Sequence, residues 1–313
     1  MARQPLVSVV IATYNYASFI GETLDSVLAQ TLTDHEIVVV DDGSTDDTEE
    51  AIRPYRNRIR YFSQQNMGVS AAWNRGIRES RGKLVAFLAA DDCWEPEALQ
   101  RIVAAHAAHP DVGLVSVMAR EMTRDGVLTD RIRGKRSRGS YYTLPDLLRG
   151  GWCSWFAVER ALVSGPDGFD ERFRSAEECE LCLRLFRRTR MYAIQEPLLR
   201  RRMHGDNLTR NRRLNASAWL LILDRLARDQ PDLVRSNRRA YRRAVGKENL
   251  RLGRALMLGA GGDSSRLAQS RRHLRNSIVQ YPFFGRAYLY LLSNLLFPRA
   301  LGSWWRQESR RRG

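Results

Sequence analysis

Lysine is almost absent from this chain. Of its 51 basic residues only Lys83, Lys135 and Lys247 are lysines, so nearly all the positive charge is guanidinium, the planar fork that suits phosphate and carboxylate. Cysteine is scarce as well. Cys93, Cys153, Cys179 and Cys182 are too few to staple 313 residues, so a reducing compartment is expected and a disulfide framework is not. No apolar stretch reaches the roughly 18 residues that read as a membrane span, and MARQPLVSVVIATYN runs into a strand pattern without a leader-like cleavage site. These absences lead to the expectation of a cytoplasmic protein. Neither GxGxxG nor a Walker A loop occurs, which removes the usual dinucleotide and P-loop signatures.

What the chain does have is charge sorted by position. Residues 1–110 carry 10 basic and 15 acidic side chains, net −5, whereas residues 111–313 carry 41 and 20, net +21. A basic C-terminal part points either to a phosphate-rich partner, nucleic acid or an anionic membrane surface, or to a solvated arginine-rich face.

The other feature is where carboxylates fall. KLVAFLAADDCW, residues 83–94, is a short apolar run ending on Asp91 and Asp92. Such a run without polar alternation suits a strand buried on both faces of a parallel sheet, and ligands of open α/β sheets bind beyond the carboxyl ends of the strands. Two adjacent acids there call for a cation, and hard oxygen donors suit Mg²⁺ or Mn²⁺. The alternative is that both acids merely cap the helix opened by Pro96. Residues 6–12 and 36–40 read as further buried strands, 60–63 as a short one, and 18–30, 68–80 and 97–109 as helices. The strand at 36–40 ends on Asp41-Asp42-Gly43-Ser44. Strand alternating with helix gives right-handed βαβ units, and acids at two strand tips fit a ligand with both a ribose or base and a diphosphate, a sugar nucleotide.

VSVVIATYNYASFIGETLDSVLAQTLTDHEIVVVDDGSTDDT together with NMGVSAAWNRGIRESRGKLVAFLAADD resembles the nucleotide-binding half of the family 2 glycosyltransferases, and weaker similarity runs through GFDERFRSAEECELCLRLFRR to RMHGDNLTR. The resemblance implies an α/β fold of GT-A type: a mainly parallel, Rossmann-like central sheet flanked by helices, with a C-terminal α-helical extension. Residues 1–210 would be the catalytic domain, with a nucleotide-binding half to about 110 and an acceptor-binding half from 111, and 211–313 a basic helical region. By the family pattern Thr13 and Asp42 hold base and ribose, Tyr14 and Asn15 lie close by, and Asp91 is the principal metal carboxylate with Asp92 in support. His204 would lie beside the diphosphate as a metal or phosphate contact. Glu178 stands where the family places its catalytic Asp, with Glu177 before it; the alternative is that both acids simply favour a helix N-terminus.

Two departures bear on chemistry. The family's Asp, small residue, Asp, Asp becomes Ala89-Ala90-Asp91-Asp92, and Trp73 occupies a position that is basic in many relatives. Phosphate neutralisation is then expected from Arg75 or from the RRMH segment that contains Arg202. Trp152 and Trp155 either line an acceptor cleft or pack in the core, while Cys179 and Cys182 read as small buried hydrophobes. Residues 123–140 read as an exposed loop with a turn at Asp125-Gly126, and 142–149 and a segment from about 175 as helices. Helices are expected over 215–229, 234–258 and 264–280. Within 281–305 the apolar run Ala287 to Phe297, interrupted by Pro298, is too short to span a bilayer, and the stretch either lies on an anionic cytoplasmic membrane face or closes the core or a homodimer interface. No RNA-binding or helix-turn-helix signature appears, so nucleic acid is not the expected partner. The expected activity is inverting transfer of a sugar from a nucleotide diphosphate, UDP first, to a hydroxyl of a glycan or lipid-linked acceptor in cell-surface polysaccharide biosynthesis. The rival is a non-catalytic sugar-nucleotide or nucleic-acid binder whose metal site has decayed through Ala89.

Overall fold

A computed structural model describes residues 4–134, 140–150, 155–205, 211–261 and 263–296. The chain divides into two compact units, 1–207 and 208–313.

The first unit runs β1 (Val7–Thr13), α1 (Ala17–Leu28), β2 (His35–Asp41), α2 (Thr48–Ile52), β3 (Arg60–Ser63), α3 (Val69–Glu79), β4 (Leu84–Ala89), β5 (Cys93–Trp94), α4 (Ala98–Ala108), β6 (Val112–Met122), β7 (Leu128–Arg133), α5 (Leu144–Arg149), β8 (Phe156–Glu159), α6 (Arg160–Val163), α7 (Glu177–Leu185) and β9 (Arg190–Arg202). Its strands form one sheet in the order β3-β2-β1-β4-β8-β6-β9-β5, with β7 on β6. The apolar runs of β1, β2 and β4 are buried along nearly their whole length, as strands covered on both faces must be. Their register decides where the chemistry goes. β1 pairs in parallel with β2, Thr13 opposite Asp41, and with β4, Ala12 opposite Ala89. Three strand tips therefore end level, and Thr13, Asp42 and Asp91 emerge along one edge. Beyond β4 the sheet becomes mixed, with β8 antiparallel to both β4 and β6 and β9 parallel to β6.

Two expectations from sequence are corrected here. Residues 128–133, read as exposed loop, pair antiparallel with β6 as β7, Ala119 opposite Arg133 and Met122 opposite Leu128. β7 is an exposed strand, so its residues LTDRIR are polar enough to resemble a loop. The 13-residue β9 was not anticipated: Pro197 and a run of arginines obscure its alternation, and Pro197 sits at a register shift against Met118, a place where a strand tolerates proline.

The second unit is helical: α8 (Arg212–Asp229), α9 (Pro231–Ser236), α10 (Arg238–Leu258), α11 (Ser264–Gln280) and α12 (Gly285–Leu296). The single helix expected over 234–258 is broken at Asn237, whose φ of −118° leaves the helical region. α10 and α11 approach closely through glycine. A Cβ on Gly253 would stand 2.9 Å from Leu274 and one on Gly246 3.0 Å from Tyr281. Ser270 and Ser277, spaced like the glycines by seven residues, donate to the Gly253 and Gly246 carbonyls at 2.7 Å each. α12 turns Ala287, Tyr290 and Asn294 inward, while Tyr288, Leu289, Leu292, Leu295 and Leu296 are 47–59% exposed. One face of this helix thus closes the unit's core and the other faces outward. No helix among the described residues is long and apolar enough to cross a membrane.

Candidate active site

The tips of β1 and β2 are stitched together by side chains. Asn15, at φ 60°, accepts from the Thr45 amide at 2.7 Å, and its own amide donates to Ser44 Oγ at 2.9 Å. This turn leaves Tyr14 43% exposed beside Thr13. Thr13 is buried, and among the described residues its Oγ1 has no hydrogen-bond partner, an orphaned polar atom at the place where a ligand is expected. Asp42 is buried and accepts from Gln64 Nε2 at 2.8 Å, the Met67 amide at 3.0 Å and the Gly68 amide at 2.7 Å. Its carboxylate thus hangs the loop 64–68, and with it the start of α3, from the tip of β2.

At the tip of β4, His204 Nε2 and Asp91 Oδ2 are 2.8 Å apart. The imidazole is buried between the rings of Phe19 and Tyr16, with centroids at 5.1 and 6.0 Å. Asp92 accepts from the Arg202 amide at 2.9 Å. Burial, and next the neighbouring charge of Asp91, push the Asp92 carboxyl well above its ordinary range, against the pull of the Arg202 amide, the Arg201 charge and a hydrogen bond from Trp155. The Asp91–His204 spacing is that of a direct hydrogen bond, and the pair would offer a divalent cation one carboxylate oxygen and one imidazole nitrogen. Among the described residues no group of three or more His, Cys, Asp or Glu gathers as a metal site. Asp91 and His204 would therefore be only part of the shell of a cation such as Mg²⁺, which commonly keeps several waters.

Glu177 and Glu178 open α7 after Ala176, which is held at φ 60°. Glu177 is 7% exposed, and its buried Oε2 has no hydrogen-bond partner among the described residues. Burial, then the charge of Glu178, push it up to about 8. Glu178 is half-buried, and burial raises its pKa while its own backbone amide and the Arg201 charge lower it. Arg201 thus acts electrostatically on both Asp92 and Glu178.

The other sequence candidates fall differently. Arg202 is 2% exposed and is used inside the protein: it donates to the carbonyls of Asp91 at 3.1 Å and Arg124 at 2.7 Å and pairs with Glu22. Its neighbour Arg201 is the arginine whose charge acts on Asp92 and Glu178, a difference unreadable without the strand. Arg75 pairs with Glu79 at 3.1 Å, a residue that also pairs with Arg60 at the start of β3, so it is drawn away from the strand tips. Trp73 is buried against Phe87 and Phe169, an aromatic core contact in place of a cation. Trp155 is 4% exposed and belongs to the main core, so in this structure it presents no open face to a sugar. Trp152 and Cys153 lie outside the described residues. Cys179 and Cys182 are buried, as small hydrophobes are. Sequence reasoning also missed Asn74, whose amide donates to Phe169 O and Glu171 Oε1, each at 2.9 Å, and accepts from the Phe169 amide at 2.8 Å, bolting the segment before α7 onto α3.

Level strand tips in a mainly parallel sheet flanked by helices define the class: a GT-A fold. The family model described as glycosyl transferase family 2 matches residues 8–163. An uncharacterized glycosyltransferase of Nostoc sp. is 43% identical over 113 residues, 35% of this chain and 35% of that protein. A chondroitin synthase of Escherichia coli is 30% identical over 211 residues, 66% of this chain and 30% of that protein. Among solved structures, S. aureus TarS 1-349 in complex with UDP-GlcNAc superposes with a TM-score of 0.67 at 19% identity, over 96% of this chain and 92% of that one. The mannosyltransferase PcManGT from Pyrobaculum calidifontis, in complex with GDP-Man and Mn²⁺, gives 0.61 at 19% identity, over 97% and 88%. The chain belongs to the family 2 glycosyltransferases. It spans about a third of the length of the first curated relatives it matches.

Proposed function

We propose that this chain is an inverting glycosyltransferase that moves a sugar from a nucleotide diphosphate, UDP first, to a hydroxyl of a glycan or lipid-linked acceptor. The single observation that carries the reading is the alignment of the tips of β1, β2 and β4, which sets Thr13, Asp42 and the Asp91–His204 pair along one edge of the sheet. Thr13 and Asp42 bind base and ribose, with Tyr14 and Asn15 beside them. Asp91 and His204 hold the divalent cation, which when bound neutralises charge on the diphosphate.

Glu178 takes the proton of the acceptor hydroxyl as its oxygen forms a bond to the anomeric carbon. The bond from that carbon to the diphosphate oxygen breaks, and the diphosphate leaves with the electron pair, on the face opposite the attack. A carboxyl raised by burial is a stronger base than a solvated one, and the Glu178 backbone amide and the Arg201 charge offset part of that rise. Glu178 in place of Asp lengthens the reach by one methylene, and Asn74 and Ala176 set the backbone from which it reaches.

An acceptor in cell-surface polysaccharide synthesis is in keeping with the similarity to a chondroitin synthase. Residues 208–313 hold 23 basic and 6 acidic residues, and the outward face of α12 is apolar. That pairing fits association with the anionic inner leaflet, where a lipid-linked acceptor would be presented. The test is release of free nucleotide from a panel of nucleotide sugars with and without Mg²⁺ or Mn²⁺. Binding without turnover under any condition favours the non-catalytic reading.

A further inference from the structure

The cation expected at position 73 is a buried tryptophan, Arg75 is drawn to Glu79, and Arg202 is consumed inside the fold. A different arginine lies over the nucleotide end of the site. Gly68, at φ 93°, donates its amide to Asp42 at 2.7 Å, and a Cβ on Gly68 would stand 2.9 Å from Arg174 Nη1 and 3.5 Å from its Cζ. The guanidinium therefore rests on the glycine, one residue's width from the Asp42 carboxylate. Its backbone is fixed by two clamps: Ser70 Oγ donates to the Phe173 carbonyl at 3.0 Å, and Asn74 holds Phe169 from both sides. Arg174 is exposed, and among the described residues no carboxylate pairs with it.

We infer that Arg174 reads the nucleobase of the donor, an assignment that rests on the glycosyltransferase reading and sharpens it to a substrate class. Asp42 and its loop belong to the base and ribose end of that reading, while Asp91, after a strand two places away in the sheet, belongs with His204 to the diphosphate end. A guanidinium presents only donors. Directed at the C4 edge of a pyrimidine, it pairs with the keto oxygen of uracil or thymine, as it does with O6 of guanine, and is repelled by the exocyclic amine that cytosine carries there. The donor class is thus a keto-base nucleotide, with UDP-sugars preferred over CDP-sugars. Gly68 suits this contact: its φ of 93° disfavours any other residue, and a Cβ there would displace the guanidinium from its present position.

The test is direct binding, by calorimetry, of uridine, UDP and CDP to the wild-type chain, Arg174→Ala and Arg174→Lys, with folding of each variant checked by thermal unfolding. Wild type is expected to prefer UDP to CDP. Arg174→Ala should lose roughly 5- to 100-fold in affinity for both uridine and UDP, the range of one good donor pair, with CDP unchanged; Arg174→Lys should recover only part, lacking the fork. An unchanged UDP to CDP ratio in Arg174→Ala overturns the inference and leaves the glycosyltransferase reading standing. So does a loss confined to UDP with uridine unaffected, which would place Arg174 on phosphate. A wild-type chain that binds none of the three overturns the underlying reading, and the inference with it.

Discussion

His204 Nε2 stands 2.8 Å from Asp91 Oδ2 although 113 positions separate the two residues in the chain. The contact exists because β9 delivers its end to the tip of β4, where the Arg202 amide bonds Asp92 and the Arg202 guanidinium bonds the Asp91 carbonyl. Arg202 is thus the tie that brings His204 to the acid, and the metal reading depends on it.

Asp91→Asn should abolish the Mn²⁺-dependent part of UDP binding, and His204→Ala should weaken it. Asp92→Asn should do less, because burial and the Asp91 charge already favour the protonated form of Asp92. Titrating UDP with and without Mn²⁺ checks this. Equal metal dependence in wild type and Asp91→Asn would remove Asp91 from the cation site.

Glu177 sets a pH signature in stability. Its carboxyl is raised to about 8 in the fold, against about 4.3 in an unfolded chain. Between those values the unfolded state has lost the proton and the folded state keeps it, so stability is highest below about pH 4.3 as far as this group is concerned. It falls as pH rises toward 8, with a limiting slope of about 1.4 kcal/mol per pH unit. Glu177→Gln should flatten the decline of melting temperature over that interval. Parallel wild-type and variant profiles would show that the carboxyl is not held protonated.

The α12 face predicts a salt-sensitive membrane interaction. Replacing Leu289, Leu292 and Leu296 together with Ser, all exposed, should leave folding intact and reduce co-sedimentation with anionic vesicles by 10-fold or more, since each leucine buried in the interface contributes about 1.5 kcal/mol or more. Neutral vesicles, or high salt, should reduce wild-type binding too. Wild-type protein that ignores anionic vesicles at low salt would leave this face to another partner.

The half of the fold that carries the nucleotide end was legible because strands buried on both faces write themselves as unbroken apolar runs. Val7–Thr13, His35–Asp41 and Leu84–Ala89 show that pattern and their acids mark where each ends. β7 was illegible because an exposed strand carries Thr, Asp and Arg like a loop, and β9 because Pro197 and its arginines conceal the alternation. The break at Asn237 had no proline or glycine to announce it. In the site, the Asp91–His204 pairing came through family resemblance rather than spacing. Arg201 was passed over for Arg202 because which of the two arginines acts on the acids is unreadable without the strand. Arg174 belongs to no motif, and only the space above Gly68 discloses it.

The central claim, that Glu178 is the base of a sugar transfer from a nucleotide diphosphate, is tested most directly by turnover of wild type and Glu178→Gln on a panel of nucleotide sugars with Mn²⁺ and acceptor. The account predicts metal-dependent nucleotide release by wild type, with a rate that rises through a pKa above the ordinary Glu range because burial raises that of Glu178. It also predicts a fall of about 100-fold or more in Glu178→Gln at nearly unchanged donor affinity. Release that is equally fast in Glu178→Gln, or no release by wild type from any donor, would contradict it.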